Sequence, residues 1–381
     1  MNPDSGRHLL ILIHSMGGGG AERVTANLAN YWATHGWKIT LVTVASPDLD
    51  VYDLHPAVDR LTMNLAGASG GVTAGLWQNL RRVLALRGIL RKVQPDIALA
   101  MMTNANVLLA LAARGLRMRA VGSEHVHPPK YPLGRLWEWL RRHSYRGLYA
   151  VAALTEETAS WLCQHTNSRR VVVIPNAIPW PLPAELPSVN PDSIRPLDRR
   201  LLLAIGRLEE QKGFDLLLEA FASLAAMHPT WDLVILGEGS LRTRIEQQIR
   251  AAGLERRVFL PGRVGNIGQW YERADLYVLS SRFEGFGNTL AEAMAYGLPV
   301  VSFDCESGPR DIIRHNIDGL LVPPNDVLGL TDALRRLMGD PEFRQRLARR
   351  ATEARERFSL EKIANSWENL FGEQLRDNSR P

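Results

Sequence analysis

Two carboxylates eight residues apart, Glu284 and Glu292, bracket a Gly-Phe-Gly turn in the stretch "SSRFEGFGNTLAEAMAYGLPVV", residues 280–301. The first follows an apolar strand-like run and the second lies about one turn into a helix. Carboxylates accept hydrogen bonds from vicinal hydroxyls, so the pair suits sugar or ribose rings; taken alone, Glu292 is equally a helix-face acid favoured by the N-terminal dipole. In "AIGRLEEQKGFD", Arg207 follows a strand and Lys212 precedes a helix. A planar guanidinium fork and a point charge at one loop mouth suit a diphosphate, or are ordinary surface charges. "CESGPRDII" sets Gly308 and Arg310 at another helix start, with the same two readings. "SMGGGGAERV" places glycines 17–20 between a strand and a helix. There a bare backbone admits an anion to free N–H groups, or simply makes a tight turn. The loop is not a Walker loop, because Ala21-Glu22 stand where Lys-Ser/Thr should follow, and it lacks the third glycine of the dinucleotide fingerprint.

These residues sit in loops of a repeating scaffold. "LLILIHS", "KITLVTVA", "DIALAMM", "RAVGSEH", "YAVAAL" and "RVVVIPN" alternate with longer amphipathic stretches in the first half, a βα series that predicts a parallel sheet covered by helices. Residues 181–200 are rich in proline without helical periodicity and read as an exposed linker. The series then restarts with "LLLAIGR", "DLVILGEGS", "RVFLPGR", "ADLYVLSS", "LPVVSFD" and "GLLVPP". The expected organisation is α/β, with two doubly wound domains at 1–180 and 201–354. Ligands of such sheets bind beyond the carboxyl ends of the strands, where the loops above lie.

A chain of 381 residues suits two cores, since single cores stop growing near about 250–300 residues. Apolar residues make up 45% and charged residues 22%, and no run approaches the about 18 apolar residues of a membrane-spanning helix. The N-terminal apolar run is short and passes into glycines, so it reads as a first strand rather than a signal peptide, implying a cytoplasmic protein. Cys163 and Cys305 have no metal-site spacing and read as reduced, structural thiols. The net charge of +5 is unevenly spread: residues 1–180 carry 19 Lys and Arg against 11 Asp and Glu, the remainder 26 against 29. Within 76–146, 13 basic residues face only Asp96, Glu124 and Glu138, a surface suited to anions.

Taken together, "GRLEEQKGFD", "LGEGS", "EGFGNTLAEAMAYGLPVV" and "GPRDII" resemble, in order and spacing, the C-terminal lobe of the retaining GT-B glycosyltransferases of family 4, with "HSMGGGGAERV" extending the likeness to the N-terminal loop. The form resembles bacterial enzymes that elongate lipid-linked oligosaccharides for surface polysaccharides. The resemblance implies a GT-B fold, two Rossmann-like domains facing across a cleft, with a nucleotide-sugar donor, a UDP-sugar by the subgroup likeness, held by the C-terminal lobe. The helix from about 355 to 381 is then expected to pack back onto the N-terminal domain. The resemblance further assigns Arg207 and Lys212 to the donor diphosphate, Glu284 to the donor sugar and Glu292 to ribose. Gly18, Gly19, Gly206, Gly285, Phe286, Gly287, Asn288 and Thr289 complete the donor set by the same likeness, Arg23 and Arg310 fall to the acceptor, and His125 matches the cleft histidine, with His127 close by. The implied chemistry is front-face substitution without a protein nucleophile and without a required metal or other cofactor; the "DLD" at 48–50 reads as a solvated turn.

The acceptor implied is a polyprenyl-diphosphate-linked saccharide. Arg135, Trp139, Arg142 and Arg146 fall on one helical face and suit an anionic membrane surface, with peripheral attachment to the inner face of the cytoplasmic membrane expected; a solvated face is the alternative. Arg81, Arg82, Arg87, Arg91 and Lys92 form a second basic helix suited to an acceptor diphosphate. Three rivals are a dehydrogenase, disfavoured by the broken dinucleotide fingerprint, a GT-B-like nucleotide-sugar epimerase and a nucleic-acid-binding protein. The last leaves Glu284 and Glu292 without a purpose and lacks an aromatic stacking platform at motif spacing.

Overall fold

The computed structural model describes residues 7–67, 72–194 and 198–377. The chain forms two compact units, the first ending at Ala177 and regaining the chain at Leu360, the second running Ile178–Ser359.

In the first unit the order is β1 (His8–Ile13), α1 (Gly20–Thr34), β2 (Lys38–Thr43), β3 (Val58–Thr62), α2 (Val72–Val93), β4 (Ile97–Met101), α3 (Thr103–Ala112), β5 (Arg119–Glu124), α4 (Arg135–Ser144), β6 (Ala150–Ala153), α5 (Glu156–His165) and β7 (Val171–Val173). The strands pair in parallel in the order β3-β2-β1-β4-β5-β6-β7. Apolar runs such as "LLILI" are buried on both faces, as a helix-covered parallel sheet demands. Successive β1 residues serve opposite cores: Leu9, Ile11 and Ile13 face α1, while Leu10 and Leu12 face the layer containing α2 to α5. The C-terminal helix, Leu360–Asp377, belongs to this unit and packs against α1. There the Trp32 indole N–H donates to Glu368 at 3.0 Å, and Phe371 lies 5.9 Å from the Trp32 ring.

The edge strand β3 has no counterpart among the runs read from sequence. Its burial alternates, but the inward positions after Val58 are Arg60 and Thr62, so no apolar pattern announces it. Arg60 is satisfied by two bonds to Asp50, at 2.9 and 3.0 Å, and one to Thr43 Oγ1 at 2.7 Å. Asp50, expected as part of a solvated turn, is therefore an ion-pair partner of the sheet edge. Asp48 accepts from Ser46 Oγ at 2.7 Å in the same turn.

In the second unit the order is α6 (Pro191–Ile194), β8 (Arg200–Ile205), α7 (Phe214–Ala225), β9 (Trp231–Leu236), α8 (Arg242–Ala251), β10 (Val258–Gly262), α9 (Ile267–Arg273), β11 (Leu276–Leu279), α10 (Asn288–Ala295), β12 (Val300–Phe303), α11 (Pro309–Ile312), β13 (Leu320–Val322), α12 (Val327–Gly339), α13 (Pro341–Ala351) and α14 (Ala354–Arg357). Its parallel sheet runs β10-β9-β8-β11-β12-β13. The proline-rich segment read as a linker is exposed along much of its length, yet it is tied to this unit. Glu185 N–H donates to Gly265 O at 3.2 Å, Gly265 N–H to Pro187 O at 2.7 Å, and Val189 N–H to Asn266 Oδ1 at 3.0 Å. Backbone groups that lack a ladder still require partners, which residues 265 and 266 supply.

In both sheets the strand order reverses beside the first strand, between β1 and β4 and between β8 and β11. The chain's glycine-rich and charged loops therefore leave the sheets at the two crevices where doubly wound folds bind ligands.

Candidate active site

The second unit's crevice is built by interlocked loops. After β8 the chain passes Gly206 and Arg207 and makes a single 3-10 turn, Glu210–Lys212, which ends at Gly213 with φ +60° at the start of α7. After β11 it runs through Ser280 to Gly287, where a φ of +103° starts α10. Ser280 Oγ donates to Lys212 O at 2.9 Å, Arg282 N–H to Gln211 O at 2.8 Å, and Gln211 Nε2 to Phe283 O at 3.0 Å. Arg282 forms a fork on Asp215, at 2.9 and 2.7 Å. A side chain on Gly213 would strike the Ser280 carbonyl, and one on Gly308 would strike that of Phe286. Close backbone approach is why these positions are glycine.

The two loops bring Lys212 Nζ to 2.6 Å from Glu284 Oε1, which also accepts from Ser281 Oγ at 2.6 Å. Glu284 is only 6% exposed. The pair presents one carboxylate and one ammonium beside each other, and the ammonium keeps donors for an incoming anion. Gly206 lies under the Lys212 stem, where a Cβ would meet Lys212 Cγ and Cδ at 3.0 Å. Arg207 is exposed at the mouth of the same loop.

Glu292 is buried at 1% exposure in α10 and lies 3.0 Å from the Tyr271 hydroxyl. Its burial removes the reading of a solvated helix-face acid, since a buried carboxylate requires partners. Thr289 Oγ1 accepts from the Tyr277 hydroxyl at 2.7 Å, and Asn288 begins the helix. The Phe286 ring points away from the loop surface and packs edge-on against Phe358, 5.5 Å between centroids, leaving its backbone for the loop. Ser307 Oγ donates to Gly285 O at 3.3 Å. Arg310 donates to Asp304 at 2.9 and 3.1 Å.

In the first unit, Gly18 has φ +98° and Gly19 caps α1 without a side-chain bond. Tyr52 OH donates to Gly19 O at 3.1 Å, and the Arg23 N–H to the same oxygen at 3.1 Å. His125 follows β5. Its Nε2 lies 3.1 Å from Ser123 Oγ, while Nδ1 is buried without a hydrogen-bond partner. Burial pushes its pKa down to about 4, so the imidazole is neutral at physiological pH. His127, by contrast, is 3% exposed and bonded to Thr158 Oγ1 at 3.1 Å, a packing role.

Residues absent from the sequence-level assignment hold this strand end. The Asn106 amide bonds Ser123 O at 3.0 Å and Ser123 N–H at 3.1 Å. The fully buried Glu124 accepts from Thr103 Oγ1 at 2.7 Å, from Asn106 Nδ2 at 3.3 Å and from the Tyr145 hydroxyl. Burial raises the Glu124 pKa, against the opposing effect of those donors. The one available signal was an acid ending an apolar strand beside His125. Tyr271 and Ser281, the partners of the two site glutamates, carried no sequence signal at all.

Arg135, Trp139, Arg142 and Arg146 are all exposed. Arg141, between them in sequence, is 2% exposed, pairs with Glu138 and lies over the Trp161 ring at 4.6 Å. Of the thiols, Cys305 is buried, but Cys163, expected to be structural, is exposed. Its position in α5 puts it on the solvent side, so packing does not require it.

Two doubly wound sheets, one with a cation and carboxylates gathered at its crevice, define the GT-B class of glycosyltransferases. Residues 18–179 match Glycosyltransferase Family 4 and residues 189–354 match Glycosyl transferases group 1. The chain belongs to the family 4-type GT-B glycosyltransferases and is a transferase. It is 32% identical over 328 residues to an exopolysaccharide phosphotransferase of Streptomyces coelicolor, covering 83% of this chain but only 33% of that protein. It is 26% identical to the GalNAc-alpha-(1->4)-GalNAc-alpha-(1->3)-diNAcBac-PP-undecaprenol alpha-1,4-N-acetyl-D-galactosaminyltransferase of Campylobacter jejuni, covering 95% of this chain and 97% of that one. Among solved structures, Anabaena HepE in complex with UDP superposes with a TM-score of 0.78 at 20% identity, over 96% of this chain and all of that one.

Proposed function

We propose that the protein transfers a hexose or N-acetylhexosamine from a UDP-sugar to a polyprenyl-diphosphate-linked saccharide, with retention, in assembly of a cell-surface glycan. The observation that carries the donor half is the Lys212–Glu284 pair at 2.6 Å beside the switch point of the second sheet. In this reading Lys212 and Arg207 bind the diphosphate, Glu284 the sugar hydroxyls, Glu292 the ribose, and the backbone of 285–287 lies along the donor. The UDP complex of HepE supports the nucleotide, and the name of the Campylobacter relative supports the lipid-linked acceptor.

As the sugar–phosphate bond breaks, negative charge grows on the leaving diphosphate. Lys212 and the N–H groups opening α7 and α10 are held by the interlocked loops before reaction begins, with Arg207 exposed at the same loop mouth, so that charge is stabilised with little reorganisation. The leaving oxygen takes the acceptor proton in a front-face displacement, and no step requires a metal or other cofactor. His125 works as a neutral hydrogen-bonding group, because its depressed pKa removes the imidazolium. Arg23 and Arg310 are assigned to the acceptor. The enzyme acts peripherally at the inner face of the cytoplasmic membrane, with Arg135, Trp139, Arg142 and Arg146 of the α4 region toward anionic lipid. Among the described residues no helix is long and apolar enough to cross a membrane.

Incubation with a panel of nucleotide sugars tests this directly. The true donor is consumed when a lipid-linked saccharide is present, and at about 100 times its Kd it stabilises the fold by ~2.7 kcal/mol. Stabilisation by no uridine nucleotide overturns the donor assignment. Consumption without product on the acceptor overturns transfer.

A further inference from the structure

Three tyrosine rings form a chain beside Glu292, and their hydroxyls are not equivalent. Tyr271 of α9 and Tyr277 of β11 are both buried, with ring centroids 6.0 Å apart and edge-on. Tyr271 also lies 5.4 Å from Tyr296, the residue that closes α10. The Tyr277 hydroxyl donates to Thr289 Oγ1 at 2.7 Å, and the Tyr296 hydroxyl accepts the Leu182 N–H at 2.9 Å. The Tyr271 hydroxyl lies 3.0 Å from Glu292 Oε2 and 3.1 Å from Thr289 O. Close packing against the neighbouring rings fixes where that hydroxyl sits.

A buried tyrosine hydroxyl requires one acceptor, and the Thr289 carbonyl would serve. The demand comes from the carboxylate, which must have donors once it is buried. The last torsion of a glutamate is broad and two-fold rather than held in a staggered well. A place on α10 therefore fixes the carboxyl carbon of Glu292 but not the plane of its oxygens. A donor arriving from α9, 21 residues back in the chain, removes that freedom. The plane decides whether the carboxylate accepts from one hydroxyl of a vicinal pair or from both. With about four lone-pair sites it can take the tyrosine and two sugar hydroxyls together.

We infer that Tyr271 is a positioning residue that sets the plane of the Glu292 carboxylate and, through it, the preference of the site for a ribonucleotide over a 2′-deoxyribonucleotide. This deepens the assignment of Glu292 to ribose and rests on it. A site built to bond a hydroxyl rejects an analogue lacking it, because its own buried group is left unpaired. That rejection requires a carboxylate already aimed before the nucleotide arrives, and Tyr271 aims it.

The test is calorimetric titration of the full chain with UDP and with 2′-deoxy-UDP. The wild type binds UDP at least ~10-fold more tightly than 2′-deoxy-UDP, the value of one bond to a charged group. Tyr271→Phe keeps the ring and its packing. It weakens UDP by ~10-fold and 2′-deoxy-UDP much less, bringing their ratio to within ~3-fold. The KM for the donor rises while kcat at saturating donor holds, since the ribose bond is made equally in the ground and transition states. In a Glu292→Ala background the same change costs less than ~2-fold, because the carboxylate it orients is gone. An unchanged ratio, with or without a lower Tm, marks packing alone and overturns the proposal. So does a ratio that rises, the result expected if Tyr271 merely replaces water around a carboxylate that then leans harder on the sugar. So do additive losses in the Glu292→Ala background. A wild type that binds both nucleotides equally removes Glu292 from the ribose and this inference with it, whereas a wild type that binds neither removes the donor reading itself.

Discussion

The two units share one strand order around their crevices and use it differently. In the second, charged residues are locked to one another and to backbone: Lys212 on Glu284, Arg282 on Asp215, Glu292 on Tyr271. In the first, the strand end that carries His125 is held by a buried network of Asn106, Ser123 and Glu124, while Trp77, Arg81 and Arg91 of α2 and Arg135, Trp139 and Arg142 of α4 stand in solvent. A fixed array of donors suits a ligand whose diphosphate is always the same shape. An exposed basic and apolar surface suits a deformable partner that is itself a surface. In the proposed function, the same scaffold would supply preorganised electrostatics in one unit and an adaptable adhesive surface in the other.

The sharpest way to break this contrast is Lys212→Ala. On the proposed mechanism it removes the cation beside the leaving group, and it leaves Glu284 buried without its ion pair, so transfer is expected to fall ~10²–10³-fold while UDP affinity, measured by calorimetry, falls much less. Equal losses in both would place Lys212 in ground-state binding alone.

Acid should distinguish the first unit next. The folded-state pKa of His125 is about 4, below an unfolded value of ~6.5, so the unfolded chain binds the proton more readily. Stability is lost as pH falls through this window, by about 3 kcal/mol in all. His125→Asn should flatten that part of a urea-unfolding series between pH 7 and 4. Wild-type transfer should show no ionisation of this group between pH 5 and 8.

Glu292→Gln keeps the shape of the side chain and removes its charge. UDP binding should weaken by ~10- to 150-fold, the value of one charge-assisted bond, with kcat for saturating donor changed less. An unchanged Kd for UDP would detach Glu292 from the ribose. The smallest effect belongs to the periphery: Arg142→Ser should cost about 1 kcal/mol of binding to anionic vesicles and leave transfer to a soluble acceptor untouched.

Six of seven strands in the first sheet and all six in the second were legible as apolar runs, because strands buried on both faces have no polar positions to blur them. β3 was not, since its inward Arg60 and Thr62 are satisfied by Asp50 and Thr43 rather than by apolar packing. Residue type and spacing singled out Lys212, Glu284 and Glu292 as charged loop and helix-start residues, with their roles left to the family resemblance, whereas their partners were not legible. Ser281 lies three residues from Glu284, but Tyr271 reaches Glu292 from another helix.

By itself the sequence determined the fold class, the order of the elements and which loops carry charge, since periodicity and glycine placement are local properties of the chain. Tertiary structure alone decided that Lys212 meets Glu284 across 72 residues, that Glu292 and Glu124 are buried, that Arg141 turns inward while Arg142 turns out, and that the proline-rich segment is anchored. Each of these depends on which distant backbone and side-chain groups must satisfy one another once water is excluded. Spacing along the chain does not encode that condition.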